Sequence, residues 1–195
     1  MKTDNRKELP VISFESGDSW EEWLGQNHDT SSGIWLRFFK KGSGIRTIVY
    51  AEAVDVALCY GWIDGQAKSC DENSYFQRFT PRRPRSIWSK RNIGNVMRLE
   101  DAGKMKKAGL KAVEAAKADG RWDQAYDSPV NMSAPDDFVN ELKKDPKAFA
   151  FFESLNKTNK YAIGWRLQTA KKAETREKRM KQIIELLSNE KKIHE

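Results

Sequence analysis

The chain has 195 residues, with 35 lysines and arginines against 28 aspartates and glutamates, a net charge of +7, two cysteines and two histidines. That length buries a full core without disulfide or metal staples, and Cys59 and Cys70, with no CxxC spacing and no histidine beside them, fit a reducing compartment. No apolar run is long enough for a secretion signal or a membrane span, so the expected location is cytoplasmic, without membrane insertion.

In chain order, "PVISF" reads as a short strand and "SGDSWEEWLGQNH" as a helix capped by Ser19, with Glu22 at the capping-box distance and Trp20, Trp23 and Leu24 at helical spacing. "GIWLRFFK" is a β-branched and aromatic run, a strand that ends in the loop "KKGSG". In "YAEAVDVALCYG", Ala53, Val54, Ala57, Leu58 and Tyr60 mark a helix that stops at Gly61. "WIDGQAKS" and "SYFQRFT" flank the polar "CDEN" as a β-hairpin, whose second strand puts Phe76 and Arg78 on one face and Tyr75 and Phe79 on the other. Pro81 and Pro84 prevent that strand from continuing, so "TPRRPR" is an extended loop. A helix then begins near Ser89 or Asn92, with Ile93, Val96 and Met97 on its apolar side.

The second half reads as almost wholly helical. "KMKKAGLKAVEAAKADG" stops at Gly120, and Ser133 offers a capping box before "FVNELKK". Asp145 and Pro146 are an N-cap and first-turn proline, and Thr158 is a candidate cap for "NKYAIGWRLQTAKK". The last helix, from about Glu174, carries Met180, Ile183, Ile184 and Leu187 in one stripe, ahead of a frayed tail "NEKKIHE". The fold class expected is α+β, a small antiparallel sheet with packed helices followed by an all-helical region. The domains expected are residues 1–130 and a helical domain of residues 131–195. The second is expected to dock on the first through Phe149, Phe152, Trp165, Met180, Ile184 and Leu187.

The positive charge is concentrated. Between Glu72 and Glu100 there is no acidic residue, while Arg78, Arg82, Arg83, Arg85, Lys90, Arg91 and Arg98 supply seven cations, and the rest of the chain is neutral in sum. Such a window attracts anions. Arg78, Arg82, Arg83, Arg85, Lys90 and Arg91, with Trp88 among them, are the candidate anion-binding residues. The alternative is structural: Arg85 and Arg91 pair with Asp64 or more distant carboxylates. Trp62 and Asp64, in "GWIDG", are a candidate pocket, with Asp64 placed near Arg78 across the hairpin. For both tryptophans core packing is the default, and a stacking platform for a base is the sharper reading.

Catalysis has little footing. The two histidines, His28 and His194, stand at a helix end and in the tail, poor settings for a catalytic triad or a metal cluster, so no catalytic residue, metal or cofactor is expected. "KKGSG" lacks the Walker A spacing, and no GxGxxG occurs. Cys59, in an apolar run, is expected to be a buried, inert thiol.

"YAEAVDVALCYGWIDG", "QRFTPRRPRSIWSKRN", "AGLKAVEAAKADGRWDQAYDS" and "NKYAIGWRLQTAKKAETREKRMKQIIELL" together resemble the YdeI/OmpD-associated, or bacteriocin-protection, family. The resemblance runs from about Ser13 to Leu187. The last sixty or so residues look like that family's small helical domain, and Ala173 stands where relatives commonly have proline. The resemblance implies a link to bacteriocin or antimicrobial-peptide protection, envelope stress or a porin, but carries over no reaction residue by residue. The expected function is therefore a non-catalytic binding or stress-related protein with a basic loop that holds a small anion or an acidic partner. The alternative is nucleic-acid binding through residues 78–91.

Overall fold

The computed structural model describes residues 9–127 and 131–194. They divide into two compact units: residues up to Trp88 with Asn92–Gln124, and Ser89–Arg91 with the residues from Ala125 onward. The fold is mixed α and β, as the sequence leads one to expect, with the described helices of the C-terminal region following a four-stranded sheet.

The first unit carries strand β1 (Val11–Ile12), helix α1 (Gly17–Asn27), strand β2 (Ile34–Phe39), helix α2 (Tyr50–Cys59) and the hairpin β3 (Trp62–Ser69) and β4 (Ser74–Pro81). Helix α3 (Lys90–Asp101) follows, most of it in this unit, and then α4 (Lys107–Ala118). The sheet order is β1-β2-β4-β3, antiparallel except for the parallel edge pair β1 and β2. "KKGSG" forms one 3-10 turn, Lys41–Ser43, closed by Gly44 in the left-handed region.

Alternation along β2 sorts its side chains cleanly. Ile34, Leu36 and Phe38 are buried, while Trp35, Arg37 and Phe39 point the other way and stay half-exposed. Pairing in register, Leu36 faces Gln77 and Ile34 faces Phe79 on the buried side, whereas Trp35 faces Arg78 and Arg37 faces Phe76 on the open side. Against the buried side, Phe14, Trp20, Trp23, Trp62 and Phe79 form an aromatic cluster with neighbouring ring centroids 5.1 to 6.3 Å apart. Two indoles of this cluster keep partners: Trp20 Nε1 donates to the Ala53 carbonyl at 3.1 Å and Trp62 Nε1 to that of His28 at 3.0 Å.

One extra residue in β3, between Asp64 and Ala67, bulges the hairpin. Gln77, buried on the core side, donates to the Gly65 carbonyl at 2.7 Å and so satisfies part of the distorted ladder. Helix α4 passes very close to the end of α2. A Cβ on Gly109 would collide with the backbone oxygens of Leu58 and Cys59, so only glycine permits the crossing.

Three cap assignments change. Helix α1 is capped by Ser16, and Ser19 is its reciprocal partner at the third helical position, because the helix begins one turn earlier than the tryptophan spacing suggests. In the second unit α5 (Asp136–Leu142) starts after Pro135 with no side-chain cap, so Ser133 plays no such part. Helix α7 (Lys157–Gln168) is capped by Asn156, whose Oδ1 accepts from Asn159 N at 2.9 Å, and Thr158 already lies inside it. The Asp145 and Pro146 start holds for α6 (Pro146–Ser154).

The second unit, completed by α8 (Ala173–Ser188), has its own core of Phe138, Leu142, Ala148, Phe152, Leu155, Ile163, Leu167, Ile183 and Leu187. Phe149, Met180 and Ile184 pack against it. Trp165 meets Tyr126 edge to face at 6.4 Å. The stripes read from the sequence as a docking face are thus used inside this unit. Its tail is not frayed at residues 193 and 194: buried Asn159 accepts from the backbone N–H groups of Ile193 and His194 at 3.0 and 2.9 Å and donates to the His194 carbonyl at 3.2 Å.

Candidate functional site

Segment 78–91 is built from the end of β4 outward. Arg82 N donates to the Gly61 carbonyl at 2.9 Å, which ties the segment to the turn after α2. Ser86 N then donates to the Arg83 carbonyl at 2.9 Å, so residues 83–86 make a β-turn with Pro84 at its second position, where a fixed φ favours that geometry.

The arginines divide into two kinds. Arg82 folds inward: its guanidinium lies 3.4 Å from the centroid of the Trp88 ring, and Nη1 donates to Ser86 Oγ at 3.3 Å and the Ile87 carbonyl at 3.4 Å. Trp88 is only 1% exposed and packs against Trp122 at 5.1 Å, so core packing describes it and its ring is closed to an incoming base. Trp62, also 1% exposed, belongs to the aromatic cluster in the same way. Arg83 and Arg85 point outward at the tip of the turn, exposed and without an ion pair among the described residues.

Arg121 was not singled out by the sequence. It is 7% exposed, holds Asp119 through Nε at 2.7 Å, and donates from Nη1 to the Ser86 carbonyl at 2.9 Å. A buried, paired arginine therefore fixes the turn that presents two exposed ones, without ion pairs among the described residues. The only sequence signal was its place beside Gly120, in the DGRW run.

Asp64 does not meet Arg78. It stands opposite Phe79, one position off the expected pairing, and accepts from the Tyr50 hydroxyl at 2.6 Å. Arg78 instead belongs to the open side of the sheet, opposite Trp35, and its Nε is shielded from solvent without a hydrogen-bond acceptor.

Lys90 and Arg91 belong to the second unit. Lys90 N donates to the Tyr126 carbonyl at 2.9 Å, and its ammonium meets Asp127 at 2.8 Å. The hydrogen bond from Lys90 is the main cause that holds the Asp127 carboxyl below the usual carboxylate range. This pairing offsets the cost of a cation at a helix start. Arg91 is exposed and has no ion pair among the described residues. Arg98 pairs with Asp55 at 2.6 Å. Met97, expected on the apolar side of α3, is 56% exposed, and Val96 and Leu99 are the buried pair.

Cys59 is buried, and desolvation is the first cause that raises its thiol pKa to about 11, the behaviour of an inert thiol. Among the described residues no group of three or more histidines, cysteines or carboxylates is placed to hold a metal, and no helix is long and apolar enough to cross a membrane.

Residues 12–112 match the family described as "Domain of unknown function (DUF8412)". Residues 131–190 match the family described as "Bacteriocin-protection, YdeI or OmpD-Associated". No curated protein and no solved structure matches the chain.

Proposed function

The chain belongs to the DUF8412 family over its N-terminal half and carries a YdeI/OmpD-associated domain after it, and from that premise we propose a non-catalytic binding protein that holds a phosphate-bearing polyanion against the Arg83–Ser86 turn. The observation that carries the reading is the pair Arg83 and Arg85, exposed and unpaired among the described residues, on a turn braced by Pro84, the Arg82–Trp88 stack and buried Arg121. A prearranged turn loses little entropy on binding, and its exposed tip suits an extended polymer better than a small enclosed anion.

The test is a titration of the full chain with duplex DNA, heparin and inorganic phosphate at about 50 and about 200 mM salt, beside the Arg83→Ala/Arg85→Ala variant. Polymers should outbind phosphate, and the double variant should flatten the slope of log affinity against log salt for duplex DNA by about 2. Phosphate binding as tight as polymer binding, or an unchanged slope, contradicts the reading.

A second reading follows from the C-terminal unit. Asp137, Glu141, Glu177 and Glu185 surround Met180 and Ile184 in a groove of about 600 Å³ between α5 and α8. An apolar floor with an acidic rim suits a cationic amphipathic peptide, the class of molecule that the wording "bacteriocin-protection" brings to mind. It ranks second because Asp137, Glu141 and Glu177 already hold Arg176, Lys144 and Lys181. Charge reversal at Glu185 should weaken binding of such a peptide, and no change dismisses this groove.

A further inference from the structure

The open side of the sheet differs from an ordinary solvated face in what it displays. Trp35 and Phe39 on β2 and Phe76 on β4 are half-exposed rings, and Arg37, Lys68 and Arg78 stand among them. The register brings them together: Trp35 faces Arg78, and Phe76 faces Arg37 on one neighbouring strand and Lys68 on the other. Trp35 and Phe76 are therefore diagonal neighbours across β2 and β4, about 7 Å apart at Cβ in such a pairing.

Each ring carries a cation. Lys68 Nζ lies 4.3 Å from the Trp35 centroid and 5.4 Å from that of Phe76, and the Arg37 guanidinium lies 4.8 Å from Phe39. Arg37 is committed elsewhere as well, to Ser74 Oγ at 3.0 Å and Asp71 at 2.6 Å. Lys68 has no carboxylate partner among the described residues and is exposed, so it moves off the rings at little cost. Arg78 adds a second cation on the same side, opposite Trp35.

We infer that this face is a binding platform for single-stranded nucleic acid, with bases stacked on Trp35 and Phe76 and the phosphate backbone held by Lys68 and Arg78. The inference rests on the polyanion reading above and names its class. Two adjacent rings match the spacing of successive unstacked bases. Displaced Lys68 keeps its charge beside them for a phosphate, and aromatic faces on an open sheet serve this purpose in RNA-recognition modules generally. Among the described residues the one carboxylate bonded to this cluster, Asp71, sits at the hairpin turn and is neutralised by Arg37, so the strand runs along β4 toward Arg78, away from it. A duplex is excluded from stacking, because its bases already stack on one another.

The experiment uses the full chain and oligomers of about 12 nucleotides, within the site size of a single small platform, as dT, rU and a duplex of equal length. Single strands should outbind the duplex and quench tryptophan fluorescence. Trp35→Ala or Phe76→Ala should weaken single-strand binding roughly 5- to 100-fold, while Trp35→Phe retains most of it. The dT and rU arms tell a DNA from an RNA ligand, and either supports the platform. Unchanged thermal midpoints show that the alanine variants are folded, and Lys68→Ala supplies a milder variant that should lose affinity and salt dependence. If duplex and single strand bind alike and Trp35→Ala changes nothing while Arg83→Ala/Arg85→Ala does, the platform is overturned and the polyanion reading stands. If no polymer binds, both fall.

Discussion

The two sides of one sheet use the same strands for opposite ends. On the core side of β2, Ile34, Leu36 and Phe38 are buried, and on β4 Phe79 joins the tryptophan cluster. One residue along, Trp35, Phe39 and Phe76 are as aromatic as their neighbours yet remain only partly buried, each ring answered by a cation. Hydrophobic burial alone does not explain a tryptophan left on the open side, where cation–π contacts are worth about 0.5–1 kcal/mol, well below full burial. One side holds the fold and the other is available for binding.

Paired substitutions test that division most strongly. Phe79→Ala and Leu36→Ala should lower unfolding free energy by about 3–5 and 2–5 kcal/mol in denaturant titration. Their neighbours Phe76→Ala and Trp35→Ala should cost about 1 kcal/mol or less. Equal losses on both sides break the comparison.

Gln77 sharpens it, as the polar exception on the core side. Gln77→Ala strands the Gly65 carbonyl at the bulge and should cost about 1–3 kcal/mol, read as a shifted unfolding midpoint. In the other unit Asn159→Ala should release the tail for a similar cost, and amide exchange at Ile193 and His194 should accelerate.

The smallest effect lies at the hairpin turn on the open side. Hydrogen bonds from Ser74 Oγ and Asn73 N, with Arg37 beside them, lower the Asp71 pKa from 3.8 to about 2. A folded value below the unfolded one means that the ionised form favours folding. The contribution is present in full above the ordinary carboxylate range and is lost as pH falls through about 2. A carboxyl-carbon titration should show that low midpoint, and Asp71→Asn should remove the corresponding acid sensitivity.

Much of this was legible in the sequence, and for identifiable reasons. The hairpin, the β2 alternation and the Asp145–Pro146 helix start are written in local pattern, and alternation alone placed Phe76 with Arg78 and Phe79 on the opposite side. Caps were harder, because Ser16, Ser19, Ser133, Asn156 and Thr158 all carry capping chemistry and only the backbone's entry angle chooses among them. The basic segment misled in one respect. Charge counts do not reveal that Arg82 lies on Trp88 or that Lys90 finds Asp127, since both partners are set by tertiary packing. Arg121 was invisible for the same reason, and the open-side rings were hidden because aromatic residues in a strand read first as core.

The most direct measurement of the central claim is a backbone and indole ¹H–¹⁵N NMR titration of the full chain with single-stranded dT oligomer. The account predicts shifts at the Trp35 indole N–H and at Lys68, Phe76 and Arg78, continuing into Arg83 and Arg85, with the Trp20 and Trp62 indoles unmoved in the core. Shifts confined to other surfaces, or none at saturating oligomer, contradict it.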